Sequence, residues 1–86
     1  MNNLELNDTV VMMNSKDYKE RFRAEYFQLK IRAQGLKSML DKYKNGTLSF
    51  TPTCSIELLE DQLNAMLNYA IKLEARARVE GISLIK

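Results

Sequence analysis

Residues 22–43 read FRAEYFQLKIRAQGLKSMLDKY. Within them Phe22, Tyr26, Leu29, Ala33, Leu36, Leu40 and Tyr43 follow one another at intervals of four, three, four, three, four and three residues. Alternating steps of four and three keep one apolar stripe on a single helix face, so this stretch predicts a long amphipathic helix with a heptad-type seam. The signals on either side delimit it. Asp17-x-x-Glu20 has the form of a capping box with Asp17 as N-cap, and Asn45-Gly46 offers the left-handed residue that ends many helices. The helix is therefore expected over about 16–44.

A second seam lies downstream. Ile56, Leu59, Leu63, Met66, Ala70, Leu73 and Ala77 repeat at three, four, three, four, three and four. Thr53 and Ser55 supply capping hydroxyls before it, and Gly81 closes it, giving a helix over about 55–80. Between the two lies a connector over 45–54, in which Pro52 cannot extend either helix and Leu48 and Phe50 are expected to tuck under the hairpin end. Two seams of equal length joined by a short connector make an antiparallel helical hairpin. Residues 1–14 show no helical period and read as a loose N-terminal arm, with Val10–Met13 as a short apolar run. The hairpin domain spans 15–86, and Ile82–Lys86 forms a short apolar tail. The fold class is all-α.

Apolar residues also fall off the seams: Phe27, Ile31 and Met39 on the first helix, Leu58, Leu67, Tyr69 and Ile71 on the second. Burying one such side chain contributes about 1.5–3 kcal/mol, and soluble monomers rarely leave a contiguous patch of them wet. At 86 residues the chain is one domain with a thin core. Its one cysteine, Cys54, allows no internal disulfide, and with no histidine an ordinary zinc site cannot be assembled within one chain. Oligomerisation is the remaining means of stabilisation, and a helical homo-oligomer is expected. The N-terminus carries no signal-peptide pattern. No run approaches the roughly 18 apolar residues of a membrane span. A cytosolic, membrane-free location is expected.

Catalysis is poorly equipped. There is no imidazole for acid–base work and no Gly-rich phosphate loop, since Gly35, Gly46 and Gly81 are isolated. Glu57, Glu60 and Asp61 sit at a helix start, where the helix dipole favours them. Cys54 beside a helix start has no evident base partner and reads as structural. No catalytic residue, cofactor or metal ligand is assigned.

Charge is more informative. The net charge is only +2, but residues 15–45 hold nine Lys/Arg against four acids, whereas residues 55–80 hold three against five. A basic first helix suits an anionic partner; pairing of a basic with an acidic helix would account for the same pattern. Tyr18 lies one residue out of register with the seam, at the helix start beside Lys16, Lys19 and Arg21. An aromatic face among cations and free backbone N–H groups suits a nucleotide, base on ring and phosphate on cations; a tyrosine that merely caps the hairpin end is the alternative. Lys30 and Lys37 share a face with Arg32 nearby, and are either phosphate ligands or a solvated surface. Arg76 and Arg78 stand where the helix C-terminus favours cations in any case. Gly35, mid-helix, indicates a close helix crossing or room for a ligand.

Asp17-Tyr18-x-x-Arg21, Glu25 and the Leu29/Leu36/Leu40 seam, followed by Leu59-x-x-Gln62-Leu63-x-Ala65-Met66-x-x-Tyr69-x-x-x-Leu73-x-x-Arg76, make a pattern that resembles a group of short bacteriophage proteins. Many of these are grouped as crAss-phage-related, and the characterised members are anti-CBASS cyclic-oligonucleotide sponges. The resemblance covers roughly residues 16–82, and the Gln-Leu-x-Ala-Met-x-x-Tyr string is its most specific part. It implies a compact helical homohexamer in the cytoplasm of the infected bacterial host. It implies that cyclic di- or trinucleotide immune messengers are held, not cleaved, so that effectors stay silent. It implies that Tyr18 stacks on a base in a pocket shared between chains, that basic helix residues hold the phosphates, and that Arg76 marks a second, cyclic-trinucleotide pocket. The sequence departs from the pattern at Ala33-Gln34-Gly35, where a basic and a hydroxyl-bearing residue are expected, so Lys30, Arg32 or Lys37 would have to substitute. Ligand choice thus stays open among dinucleotides, trinucleotides and cyclic ADP-ribose type signals.

Two further readings compete. The surplus apolar surface would suit a helical adaptor or inhibitor that lies on a host protein. The basic helix would suit DNA or RNA, though a net charge of +2 counts against it.

Overall fold

The computed structural model describes residues 4–84; Met1–Asn3 of the expected arm and Ile85–Lys86 of the expected tail lie outside the described residues. A 3-10 turn, Leu6–Asp8, leads into α1 (Thr9–Met13), followed by α2 (Tyr18–Lys44) and α3 (Ile56–Glu80). The described residues are all-helical apart from their connections. α2 and α3 run antiparallel: Tyr18 meets Arg76 and Glu80 at one end, and Lys44 pairs with Glu60 at 3.1 Å at the other. The molecule is a rod of 43 × 24 × 23 Å.

Local chemistry sets the ends of the helices. The Asp17 carboxylate accepts from the Lys19 backbone N–H at 3.0 Å. The expected return contact from Glu20 is replaced by an ion pair with Arg23 at 3.6 Å. At the far end of α2, Thr47 N–H donates to Lys42 O at 2.9 Å and Gly46 N–H to Tyr43 O at 3.1 Å. This pair of bonds needs Gly46 at φ 73°. The Ser55 hydroxyl caps α3 by accepting from Leu58 N–H at 3.1 Å, and Gly81 ends it at φ 71°.

The two seams face each other, but unevenly. Phe22, Leu29, Ala70, Leu73 and Ala77 are buried together with Ile82, and Tyr26, Met66 and Leu84 pack against them. Ile82 and Leu84 show that the tail folds back over the hairpin; Arg23 Nε fixes it by donating to Ser83 O at 2.8 Å. Toward the connector the seam thins. Leu36, Ile56, Leu59 and Leu63 are only half-buried. Tyr43, the last residue of the first seam, is exposed.

Three expectations are corrected. The arm is folded, not loose. Its five-residue helix is too short to show a period, and the residue it buries is polar: Thr9 is fully buried, while Val10 and Val11 face outward. Thr9 Oγ1 donates to Leu6 O at 2.7 Å and accepts from Gln28 Nε2 at 3.0 Å, so its burial leaves nothing unsatisfied. Gln28 Nε2 also contacts Met13 Sδ. Together these contacts hold α1 on the outer face of α2, where Ala24 and Phe27 are buried. Phe50 does not tuck under the hairpin end; it is 56% exposed.

At Gly35 the close helix crossing is the third correction, since none is found among the described residues, while room for a ligand stays open. A Cβ built there meets nothing within 4 Å. A mid-helix glycine without a steric reason destabilises by roughly 0.5–1 kcal/mol relative to alanine. Gly35→Ala is therefore expected to raise the melting temperature by a few degrees, on the scale of about 4–8 °C per kcal/mol for a domain this size. A fall in thermal unfolding experiments would instead mean that another chain or a ligand occupies the space.

Tyr26 OH donates to Glu74 Oε2 at 2.6 Å across the interhelix seam. Burial, then the hydrogen bond to Glu74 and its charge, push this phenol up from 10.0 to about 12. The native state thus holds this proton more tightly than the unfolded chain. Its contribution is complete below the ordinary value of 10.0 and is lost as pH rises through about 12. A titration followed by tyrosinate absorbance should show one phenol ionising near 12 and loss of helical signal over the same window.

Candidate functional site

The end of the rod where α2 begins and α3 finishes gathers an aromatic, cationic and acidic cluster. Asp17 caps α2 so that Tyr18 is its first residue, and Phe22 follows one turn later on the same side. The last turns of α3 bring Arg76 and Glu80 against them. Arg76 Nη2 donates to Tyr18 Oη at 2.9 Å, and Tyr18 OH donates to Glu80 Oε1 at 2.9 Å. Arg76 Nε lies 3.5 Å from Glu80 Oε2. The guanidinium sits over the Phe22 ring, 5.0 Å from its centroid, and the Tyr18 and Phe22 rings meet edge-on at 6.2 Å. Tyr18 is 46% exposed, so part of its ring remains open to solvent. Desolvation would lower the Arg76 guanidinium, but Tyr18 and Glu80 outweigh it and hold the group above its usual value.

This arrangement can bind in two ways at once. A guanidinium backed by an aromatic ring presents N–H donors in a fixed fork, a geometry that matches phosphate or carboxylate. The open part of the Tyr18 ring offers a stacking surface for a base. A second pair stands further along the same flank, where Tyr69 OH donates to Glu25. Tyr69 is 44% exposed, so a second aromatic side chain is open to solvent there.

The other predicted site residues spread out. Lys16 and Lys19 are exposed next to Tyr18 and make no ion pair among the described residues. Arg21 Nη1 donates to Ser15 O at 2.8 Å, bracing the turn between α1 and α2. Lys30 lies roughly 18 Å along α2 from Tyr18, and Lys37 roughly 28 Å, at 1.5 Å per residue. Lys37 is paired with Asp41 at 3.0 Å. Arg32, exposed, is about 200° around the helix from Lys30, so the two do not share a face. Within one chain, Tyr18, Lys16, Lys19, Arg21 and Arg76 therefore come to one end, whereas Lys30, Arg32 and Lys37 do not join them. Arg76 touches Tyr18 directly and does not stand apart from it. Phe22 read in sequence only as a seam residue, and Glu80 was not singled out. Their signals were the four-residue spacings Tyr18–Phe22 and Arg76–Glu80.

The Sequestin family model matches residues 16–79 of this chain. The chain belongs to the Sequestin family. The matched span contains the whole hairpin seam, Tyr18, Phe22 and Arg76, and stops one residue before Glu80. The Sequestin name points to a protein that holds a ligand or partner. Comparisons with curated proteins and with solved structures return no match. No helix among the described residues of this Sequestin chain is long and apolar enough to cross a membrane.

Proposed function

We propose that this Sequestin-family chain is a phage anti-defence sponge. It binds cyclic di- or trinucleotide immune messengers, or cyclic ADP-ribose type signals, in the cytoplasm of the infected bacterium and keeps them from their effectors without cleaving them. It acts as a binding protein and not as an enzyme. The observation that carries the reading is the Tyr18–Arg76 cluster, an exposed aromatic ring hydrogen-bonded to a guanidinium at 2.9 Å. Lys16 and Lys19 stand beside it without ion-pair partners among the described residues. A cyclic nucleotide offers the matching parts: bases to stack and two or three phosphates to neutralise. The working form is a homo-oligomer, for which a hexamer is the expected state. The half-buried seam near the connector and the exposed Leu58, Leu67 and Ile71 on α3 supply apolar surface for subunit contact. Assembly would also bring Lys30, Arg32 or Lys37 of neighbouring chains toward a Tyr18 cluster that one chain leaves open.

Calorimetric titration with cyclic di-AMP, cyclic GMP–AMP, cyclic tri-AMP and cyclic ADP-ribose tests the proposal. Tight binding of at least one, by a species about six times the 10.0 kDa chain mass in light scattering, is the expected result. Silence across the panel would reject it. The exposed apolar residues of α3, with Val79 at 87% exposure, also favour a second reading as a helical adaptor or inhibitor of a host protein. That reading expects a monomer or dimer that captures one protein and no nucleotide.

A further inference from the structure

Glu80 is badly placed for the helix it ends. It is the last residue of α3, directly before the left-handed Gly81. There the exposed carbonyls and the helix dipole disfavour a negative charge. The side chain lies at the surface, and its polar contacts among the described residues are with Tyr18 and Arg76. Yet its two oxygens engage the two groups that give this end its capacity for anions. Oε1 accepts a hydrogen bond from the Tyr18 hydroxyl at 2.9 Å, and Oε2 sits 3.5 Å from Arg76 Nε. A carboxylate bridging a phenol and a guanidinium occupies the place that a phosphate oxygen pair would take.

We infer that Glu80 is an internal stand-in for the ligand's phosphate, a specificity-setting competitor that an incoming phosphate-bearing ligand must displace from Tyr18 and Arg76. The inference rests on the reading of this cluster as the nucleotide site. In the unliganded chain Glu80 holds Arg76 over the Phe22 ring and the Tyr18 hydroxyl in line, so both are oriented before the ligand arrives. A rotation of the Glu80 side chain then releases the Tyr18 hydroxyl to donate to a phosphate oxygen and bares the Nε edge of the guanidinium. The exposed pair is weak, so a ligand with two or three phosphates displaces it readily. A small anion without a base does so poorly, because it gains only the Arg76 contact and neither stacks on Tyr18 nor reaches further cations. Selection for cyclic oligonucleotides over abundant small anions follows.

The test compares wild type, Glu80→Gln and Glu57→Gln by calorimetry with cyclic di-AMP, cyclic GMP–AMP, cyclic tri-AMP, cyclic ADP-ribose and inorganic phosphate. Glu57 carries the same charge at the opposite end of α3, roughly 35 Å away at 1.5 Å per residue. Glu80→Gln keeps an oxygen acceptor for Tyr18 and removes the competing charge. It is expected to tighten binding of the cyclic probe about tenfold, the scale of one partly screened charge contact. It should also give measurable phosphate binding, and its advantage should shrink as salt is raised. Its melting temperature should be unchanged or higher. Equal or weaker binding by Glu80→Gln overturns the inference while leaving the site in place. Equal tightening by Glu57→Gln overturns it too, by making net charge the cause. If wild type and Glu80→Gln both bind none of the probes, the functional reading falls and this inference falls with it.

Discussion

Tyr18→Ala is expected to weaken messenger binding by between about tenfold and several hundredfold while the fold and the oligomer survive. Stacking of a base on an aromatic ring contributes roughly 1–3 kcal/mol by alanine substitution, about 5- to 150-fold in affinity. The alanine also removes the hydroxyl that Arg76 and Glu80 share, leaving the guanidinium without its lateral brace. Little of this reaches the core. Tyr18 is 46% exposed, and its ring meets Phe22 only edge-on, so thermal stability should change by no more than the loss of a surface contact. Tyr18→Phe separates the two contributions. It keeps the ring and is expected to retain most of the binding energy that stacking supplies. Calorimetry on both variants, with light scattering to check assembly, is the measurement. Undiminished binding by the alanine variant would remove the site from this end of the rod.

Leu73→Ala carries the largest expected effect on stability. Leu73 is 1% exposed and sits among Phe22, Leu29, Ala70 and Ala77 in the core cluster. Truncating a fully buried leucine loses transfer energy and leaves a cavity, together about 2–5 kcal/mol. A domain of this kind has only about 5–15 kcal/mol in total. On the scale of about 4–8 °C per kcal/mol, the melting temperature should drop by roughly 8–40 °C. Because the same cluster underlies Phe22 and Arg76, ligand binding should weaken at temperatures where the variant begins to unfold and persist below them. Thermal unfolding with and without the bound messenger reads both effects. A loss under 1 kcal/mol would mean that the core described around Leu73 is not the one that holds the hairpin.

The hairpin was legible in the sequence because two long helices repeat their apolar residues often enough for a period to stand out. The seams from Phe22 to Leu40 and from Ile56 to Ala77 face each other as that period requires. The glycine and serine caps at Gly46, Ser55 and Gly81 were legible for a local reason, since each acts on backbone within a few residues. What was not legible is short or depends on register. α1 has five residues and buries a threonine, so neither period nor hydropathy announces it. Phe50 and Tyr43 are apolar residues that stay exposed, which no local pattern announces. The candidate site lies between these cases. Tyr18 and its neighbouring cations stood out as a local cluster, but Arg76 and Glu80 join it across 58 and 62 residues of chain. Only the pairing of α2 with α3 brings them there, and nothing in a one-dimensional pattern states that Glu80 and not Glu74 faces Tyr18. In the same way Lys30 and Arg32 are neighbours in sequence and lie on different flanks of the helix.

A recovery experiment separates holding a messenger from cleaving it. The purified protein is mixed with a limiting amount of the cyclic nucleotide it binds best, and the free nucleotide is followed by chromatography before and after heat denaturation. For a sponge, the free messenger disappears on mixing and returns in full after heating, with its ring intact. A messenger that never leaves solution, or one that returns as a linear product, would contradict the sponge reading.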